Sequence, residues 1–248
     1  MKKILALVLC LMLALSVSAM AEAAPSSLSI SISEIELNVG EAIVVNPSLT
    51  LAFGSEGESA WGELCALIGG EKVIAADFEV ENGTINFTVD GANDVLKITG
   101  ADEMLSAEAG MTTSELISSL SESFAQMGDN ETLAASLEAL PSMLDGLSVE
   151  KLGELDYKVA YTEAESGVSA SLRLTIELGA EKAFDLSGKN VVEVAADAEN
   201  VPETDVVTVA QEKLGVLMAD ESVATLITLF TAITGATAST SADRKSVV

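Results

Sequence analysis

The strongest constraint on the fold is a pair of alternating apolar runs on either side of Asn82-Gly83. Apolar residues occupy every second position before this dipeptide and again after it, at Ile74, Ala76, Phe78, Val80, Ile85, Phe87 and Val89. This period is typical of half-buried strands, and Asn-Gly is typical of the tight turn that joins two of them. Because Asp90-Gly91 turns the chain again into 95–99, we predict a three-stranded antiparallel meander.

Similar alternation predicts further strands on both sides of this meander. Leu28 to Val39 alternates with a change of phase at Ser33-Glu34, which predicts a bulge or a turn. Additional strands are expected at 49–53, 157–161, 168–178, 184–186 and 191–195.

Helical spacing appears in other segments. Thr112 and Glu115 form a capping box before an apolar face that runs to Met127, and Gly128 is expected to end this helix. We predict a second helix from Asn130 towards Pro141 and a last helix that begins at Thr204 or Asp205. A short helix is also predicted over Ser59–Ile68, with Trp61, Leu64, Cys65 and Ile68 on one stripe and Gly69-Gly70 at its end.

This order of elements predicts an α+β fold, in which an antiparallel sheet of hairpins and a meander packs against amphipathic helices. We expect one domain over 25–242. Residues 93–98 are weakly similar in sequence to residues 190–194, about 97 positions later. This similarity suggests two similar β-then-α halves, 25–145 and 150–235.

The first 21 residues have the three parts of a secretory signal peptide. Lys2 and Lys3 precede an uncharged apolar core, and Ala19-Met20-Ala21 fits a cleavage site. Cys10 lies in the middle of the apolar core after Leu9, so a lipoprotein signal is not expected. The style of the leader is bacterial, and we expect an extracellular or cell-surface location.

The last six residues, 243–248, differ from what precedes them. Their sequence, DRKSVV, is the translation of GATCGGAAGAGCGTCGTG, a widely used sequencing adapter. We therefore expect the natural reading frame to continue past Ala242, which leaves open whether the protein is released or anchored. The uncharged stretch 222–242 is expected to hold a buried helix around Phe230 that runs into a loop.

Composition excludes several classes of function. The chain contains no histidine, which removes the usual base of serine and cysteine hydrolases and a common zinc ligand. Cys65 would be the sole cysteine after cleavage of the leader, so the mature chain can form no internal disulfide, and a core thiol is expected. Aromatic residues make up 4% of the chain, which disfavours sugar binding on exposed rings.

A formal net charge of −27 limits the partners. Nucleic acids and anionic membrane surfaces are disfavoured because they would be repelled, whereas a cation or a basic protein surface would be attracted. No cofactor is expected.

Two acidic turns contain oxygen ligands that could bind calcium. Asp90, Asn93 and Asp94 lie around Gly91, and Asp197, Glu199 and Asn200 form a similar group. Neither group has the full ligand set of a calcium loop, so turn formation is the expected role and metal binding the alternative.

We therefore expect a secreted or surface-attached, non-enzymatic protein that acts as a binding or structural module. One alternative is a carboxylate-dependent extracellular hydrolase such as a glycosidase, which needs two acids in one pocket. Another is a carrier of an apolar ligand held in a cavity between the sheet and the helices.

Overall fold

A computed structural model describes residues 26–38, 40, 42–108, 110–127, 130–142, 144–163, 167–198 and 202–225. The fold is α+β and is built on a mixed, mostly antiparallel sheet of 11 strands. The strands are β1 Ser27–Asn38, β2 Ala42–Val45, β3 Pro47–Glu56, β4 Ser59–Ile68, β5 Glu71–Glu81, β6 Thr84–Val89, β7 Asp94–Thr99, β8 Leu147–Lys151, β9 Asp156–Thr162, β10 Ser169–Leu178 and β11 Asn190–Ala195.

The sheet order is β11-β7-β6-β5-β4-β3-β1-β10-β9-β8, and β2 pairs with β1. Neighbouring strands are antiparallel except β11 and β7, which are parallel with Asn190 opposite Asp94 and Ala195 opposite Thr99. Strand β11 therefore lies at one edge of the sheet, whereas the first strand, β1, is internal and lies between β3 and β10.

The predicted meander is confirmed. Strands β5 and β6 form a hairpin in which Asn82 and Gly83 both have positive φ, at 47° and 74°, as a tight hairpin turn requires. Strand β7 then pairs with β6. The change of phase in β1 is also confirmed as an irregularity between Ser33 and Glu36, where Glu34 has a φ of 49°.

The predicted helix over Ser59–Ile68 is wrong, because this segment is strand β4. It pairs along its whole length with β3 on one side and β5 on the other. Trp61 and Cys65 are buried on one face of the sheet while Ala60 and Ala66 are buried on the opposite face. A strand that is buried on both faces loses its simple alternation, and its apolar residues then mimic helical spacing. Leu64 and Cys65 therefore lie on opposite faces rather than on one stripe.

The helices are α1 Ala101–Glu108, α2 Thr113–Met127, α3 Asn130–Ala139 and α4 Asp205–Met218, with a 3-10 turn at Leu140–Ser142 and a helical turn at 221–225. The capping box is confirmed, because the Thr112 N–H donates to Glu115 at 2.7 Å and the Glu115 N–H donates to Thr112 Oγ1 at 3.2 Å. Thr204 is the N-cap of α4.

Apolar side chains from these helices share clusters with one face of the sheet, which we call the helix face. Leu133 and Leu137 of α3 belong to one cluster with Leu28 and Leu174. Ile117 of α2 clusters with Ala60 and Val80. Val206 of α4 clusters with Val89, Leu96 and Val194. The described part of the last helix therefore contacts the sheet near β5 to β7 and not near β10.

The opposite face carries an irregular crossing segment, residues 179–189, which we call the strap. It leads from β10, the third strand from one edge of the sheet, to β11 at the other edge. The Phe184 ring meets the Trp61 ring edge to face, with centroids 6.3 Å apart and planes at 74°. Lys189 Nζ donates to the Ala92 carbonyl at 2.7 Å and to Thr88 Oγ1 at 3.2 Å.

The expected strand at 184–186 is therefore wrong, because these residues belong to the strap and have no regular structure. Phe184 is held by a ring contact to the sheet rather than by strand pairing.

Several predictions lie outside the described residues. They concern the leader, Val39, Gly128, the helix after 225 and the last six residues.

Candidate functional site

A pocket of about 460 Å³ opens at the carboxyl ends of the parallel strands β7 and β11, beside α1. Its volume falls within the range of roughly 300 to 1,000 Å³ that is common for small-ligand sites. The lining residues come from the end of β7, from α1 and from the end of β11: Thr99, Gly100, Glu103, Met104, Ala107, Ala195, Ala196 and Asp197. We call this site the strand-end pocket.

Local backbone geometry builds the pocket. Gly100 has a φ of 75°, which glycine adopts without strain, and this lets the chain turn from β7 directly into α1. On the other side, the Ala196 N–H donates to the Thr99 carbonyl at 2.8 Å and continues the pairing of β11 with β7. The Ala198 N–H then donates to the Ala195 carbonyl at 3.0 Å, so the chain turns away and leaves the space open.

The hairpin turn and α2 hold α1 in place. Asp102 Oδ1 accepts hydrogen bonds from the N–H and the hydroxyl of Thr113 at 2.8 and 2.7 Å. The hydrogen bond from the Thr113 hydroxyl, followed by that from its N–H, lowers the pKa of Asp102. Thr113 Oγ1 in turn accepts from the Gly83 N–H at 3.0 Å, and the Ala101 N–H donates to the Gly83 carbonyl at 3.0 Å. These bonds fix the first turn of α1 relative to the sheet.

The charges of the pocket are all negative. Glu103 and Asp197 are exposed at its rim, whereas Met104, Ala107, Ala195 and Ala196 supply apolar lining, and none of the eight lining residues is basic. The nearby cation of Lys97 is already paired with Glu193 at 2.8 Å. The pocket therefore combines an apolar wall with two carboxylates, an arrangement that suits a cationic group on an apolar stem.

The first predicted acidic turn is used for structure in this protein. Asp94 Oδ2 accepts from the Asp205 N–H at 3.1 Å, and Asn93 donates through its N–H and its amide to Asp205 Oδ2 at 2.7 and 2.9 Å. These bonds attach the start of α4 to the turn before β7.

Asp90 does not join Asn93 and Asp94 in a common ligand set. Its carboxylate faces Lys72 at 3.3 Å and Lys213 at 3.7 Å. Burial alone would raise the pKa of Asp90, but the ammonium groups of Lys72 and Lys213 hold it below its usual value. In the described part of the chain, no group of three or more Cys, Asp and Glu side chains is placed to hold a metal ion. Asp197 of the second acidic group lines the strand-end pocket, while Glu199 and Asn200 lie outside the described residues.

The sheet face under the strap contains a second unusual acid, Asp77 on β5. Asp77 is 6% exposed, and its Oδ1 accepts no hydrogen bond from any described residue. Burial, and then repulsion from Glu63, raises the pKa of Asp77 to about 6. The thiol of Cys65 is buried on the same face, and its pKa is raised by burial and by Glu63.

No pattern in the sequence singles out Gly100, Glu103 and Met104 as site residues. Their only local signal is a glycine directly after a predicted strand and before a helical segment, which is a weak signal by itself. The pocket needs a second wall from residues about 95 positions later, and the parallel pairing of β7 with β11 supplies it.

No protein-family model and no curated protein gives a significant match to this chain. Within the described residues, no helix is long and apolar enough to cross a membrane.

Proposed function

We propose that this protein is an exported, non-enzymatic binding module, and that its strand-end pocket takes a cationic group carried on an apolar stem. A lysine or arginine side chain of a partner protein has this chemistry. The proposal rests on one observation: the strand-end pocket has two carboxylates, Glu103 and Asp197, at its rim and an apolar wall that includes Met104.

The charge of the whole chain supports the same class of partner. A net charge of −27 attracts basic surfaces over a distance comparable to the Debye length, which is about 8 Å at physiological ionic strength. The pocket then adds a local contact in which the stem loses water against Met104 and the alanines. Export through the leader would place this surface where it meets other extracellular proteins.

The proposal is tested by calorimetry with three blocked pentapeptides that carry one central lysine, norleucine or glutamate between alanines. The lysine peptide is expected to bind best, and raising the salt to about 0.5 M should weaken it. Glu103→Gln combined with Asp197→Asn is expected to reduce affinity about 3- to 10-fold, because two exposed charges are lost.

A matched control variant, Glu58→Gln with Glu131→Gln, removes two exposed carboxylates elsewhere and leaves the same net charge. Equal losses in both variants would mean that the lysine peptide responds to total charge and not to the pocket. Equal binding of the lysine and glutamate peptides would also contradict the proposal.

A carboxylate-dependent hydrolase is the second candidate, favoured by the presence of two acids in one pocket. It predicts turnover of a glycoside substrate that is abolished by either Glu103→Gln or Asp197→Asn alone. The binding module predicts no turnover and a graded loss of peptide affinity in the two single variants.

We further infer that the two halves, 25–145 and 150–235, descend from a duplication, as the weak sequence similarity suggests. The similar segments are β7 and β11, which lie side by side and parallel. Sequences of related proteins in which 93–98 and 190–194 are more alike would support this origin.

A further inference from the structure

Three leucines form an apolar strip in the middle of the helix face. Leu51 on β3 lies directly opposite Leu64 on β4, and Leu49 lies two residues from Leu51 on the same face. Leu49 is 40% exposed and Leu64 is 47% exposed. The strip is therefore open on the face of the sheet that carries the apolar helix clusters.

The helices lie on either side of this strip. Helix α2 contacts β3 and β5 through the cluster around Ile117, near the ends of the strands at Ala60 and Val80. Helix α4 contacts β5, β6 and β7 near the opposite ends, where Val206 meets Val89. Among the described residues, neither helix covers Leu49 or Leu64.

Asp220 and Ser222, close to the end of the described chain at Thr225, are hydrogen-bonded to Asn46 beside the strip. Asn46, which directly precedes β3, donates its N–H to Ser222 Oγ at 3.0 Å and its side-chain amide to Asp220 Oδ2 at 3.3 Å. Ser222 is buried, and the Asp220 carboxylate also accepts from the Ser222 N–H at 2.9 Å. Position 222 is therefore fixed beside Asn46, three residues before Leu49 along the chain.

The next residues have the composition that such a strip would bury. The segment 226–233 contains Leu226, Ile227, Leu229, Phe230 and Ile233, and no charged residue occurs from Ser222 to Ala242. The eleven residues that follow Ser222, up to Ile233, span about 16 Å as a helix. Leu49 lies about 10 Å along β3 from Asn46, and Leu51, which is opposite Leu64, lies about 16 Å from it. The segment is thus long enough to reach both exposed leucines.

We propose that residues 226–233 occupy the apolar strip and bury Leu49 and Leu64 against Ile227 and Phe230. The occupant is this segment of the chain itself, because its point of departure is held at the strip and its apolar content matches it. This inference does not depend on the strand-end pocket.

A double-mutant cycle in the full chain tests the proposal. Leu64→Ala and Phe230→Ala are each expected to lower the midpoint of urea unfolding, and the double variant should lose clearly less than the sum of the two losses. Leu152→Ala is the matched control, since Leu152 is 49% exposed but lies just after β8. Its loss should be small and should add to that of Phe230→Ala.

Leu64→Val repeats the cycle with a milder change, so that a folding defect in one variant does not decide the result. Additive losses for Leu64 and Phe230 would overturn the proposal. A coupling that appears only at high protein concentration, together with dimers in sedimentation, would also overturn it, because a second copy would then cover the strip. Fatty acid could also be added to the Phe230→Asp variant with Leu64 or Ala at position 64. If fatty acid raises the urea midpoint only when Leu64 is present, and Leu64 and Phe230 show no coupling without fatty acid, the strip binds an apolar ligand instead.

Discussion

Asp77 lies directly opposite Glu63 on the neighbouring strand, and both carboxylates face the strap side of the sheet. Side chains in this relationship have Cβ atoms about 5 Å apart, so two negative charges there repel each other. Burial of Asp77 is the larger cause and repulsion from Glu63 the second, and together they raise the pKa of Asp77 to about 6. Lys72 and Lys189 oppose this shift, and Asp90 adds to it.

The contribution of Asp77 to stability is predicted to fall as the pH rises from about 4 to about 7. The Asp77 pKa is near 6 in the folded chain and about 3.9 in an unfolded one, so the folded state holds a proton that the unfolded state has lost. The contribution of Asp77 to stability is fully present at a pH below its unfolded pKa and is lost as the pH rises through its folded pKa. It amounts to about 3 kcal/mol at most. Urea unfolding at several pH values measures it.

Asp77→Asn should remove this dependence and be more stable than the natural chain at pH 7.5, with little difference at pH 4. Glu63→Gln should lower the Asp77 pKa, because Glu63 is the second cause of its elevation. If the difference in unfolding free energy between the natural chain and Asp77→Asn is the same at pH 4 and pH 7.5, the environment described for Asp77 is contradicted.

The contact between Trp61 and Phe184 gives a direct test of the strap. Trp61 is the single tryptophan of the chain and is 8% exposed, with the Phe184 ring against it. We expect Phe184→Ala to shift tryptophan emission to the red and to increase quenching by acrylamide, while circular dichroism stays unchanged. Val191→Ala, at an exposed position of β11, is the control and should leave both signals as they are.

Gly62 on β4 is packed so closely against the Phe78 ring that a side chain at this position is predicted to be destabilising. A Cβ at this position would lie 2.2 Å from Cζ of Phe78, so Gly62→Ala should cost about 1 to 3 kcal/mol of unfolding free energy through overpacking.

The glycine in the last helix should behave in the opposite way. A Cβ added at Gly215 in α4 would meet nothing within 4 Å outside its own helix, so Gly215→Ala should stabilise the protein by about 0.5 to 1 kcal/mol.

The combination of Gly62→Ala with Phe78→Leu separates sterics from backbone effects. The smaller Leu side chain should recover part of the loss, measured by thermal unfolding. If the double variant loses the full sum of both changes, the close approach to Phe78 is not the cause.

Local chemistry makes several elements predictable from sequence. The hairpin at Asn82-Gly83, the capping box of Thr112 with Glu115 and the cap at Thr204 depend on residues within a few positions of each other. Such signals survive in any tertiary context that contains the element, so the sequence alone is enough to recognise them.

Long-range relationships are not predictable in the same way. Strand β4 has apolar residues at helix-like spacing because residues on both of its faces are buried. The strap contributes to the burial of one face, and the helices lie on the other. The strand-end pocket depends on the parallel pairing of β7 with β11, and no local pattern sets this pairing. Of its acids, Asp197 is indicated by the sequence for a different role, and Glu103 has no sequence signal at all.

The most direct test of the binding proposal is a titration of the isotope-labelled protein with the blocked lysine pentapeptide, followed by amide chemical shifts. We expect the largest shifts at Gly100, Ala195 and Ala196, which line the strand-end pocket. The pocket of about 320 Å³ beside Gly57 and Asn82 is the internal control and should shift little. Shifts that are equal at both pockets, or that are spread over the acidic surface without a maximum at Gly100, would show that the lysine side chain does not bind in the strand-end pocket.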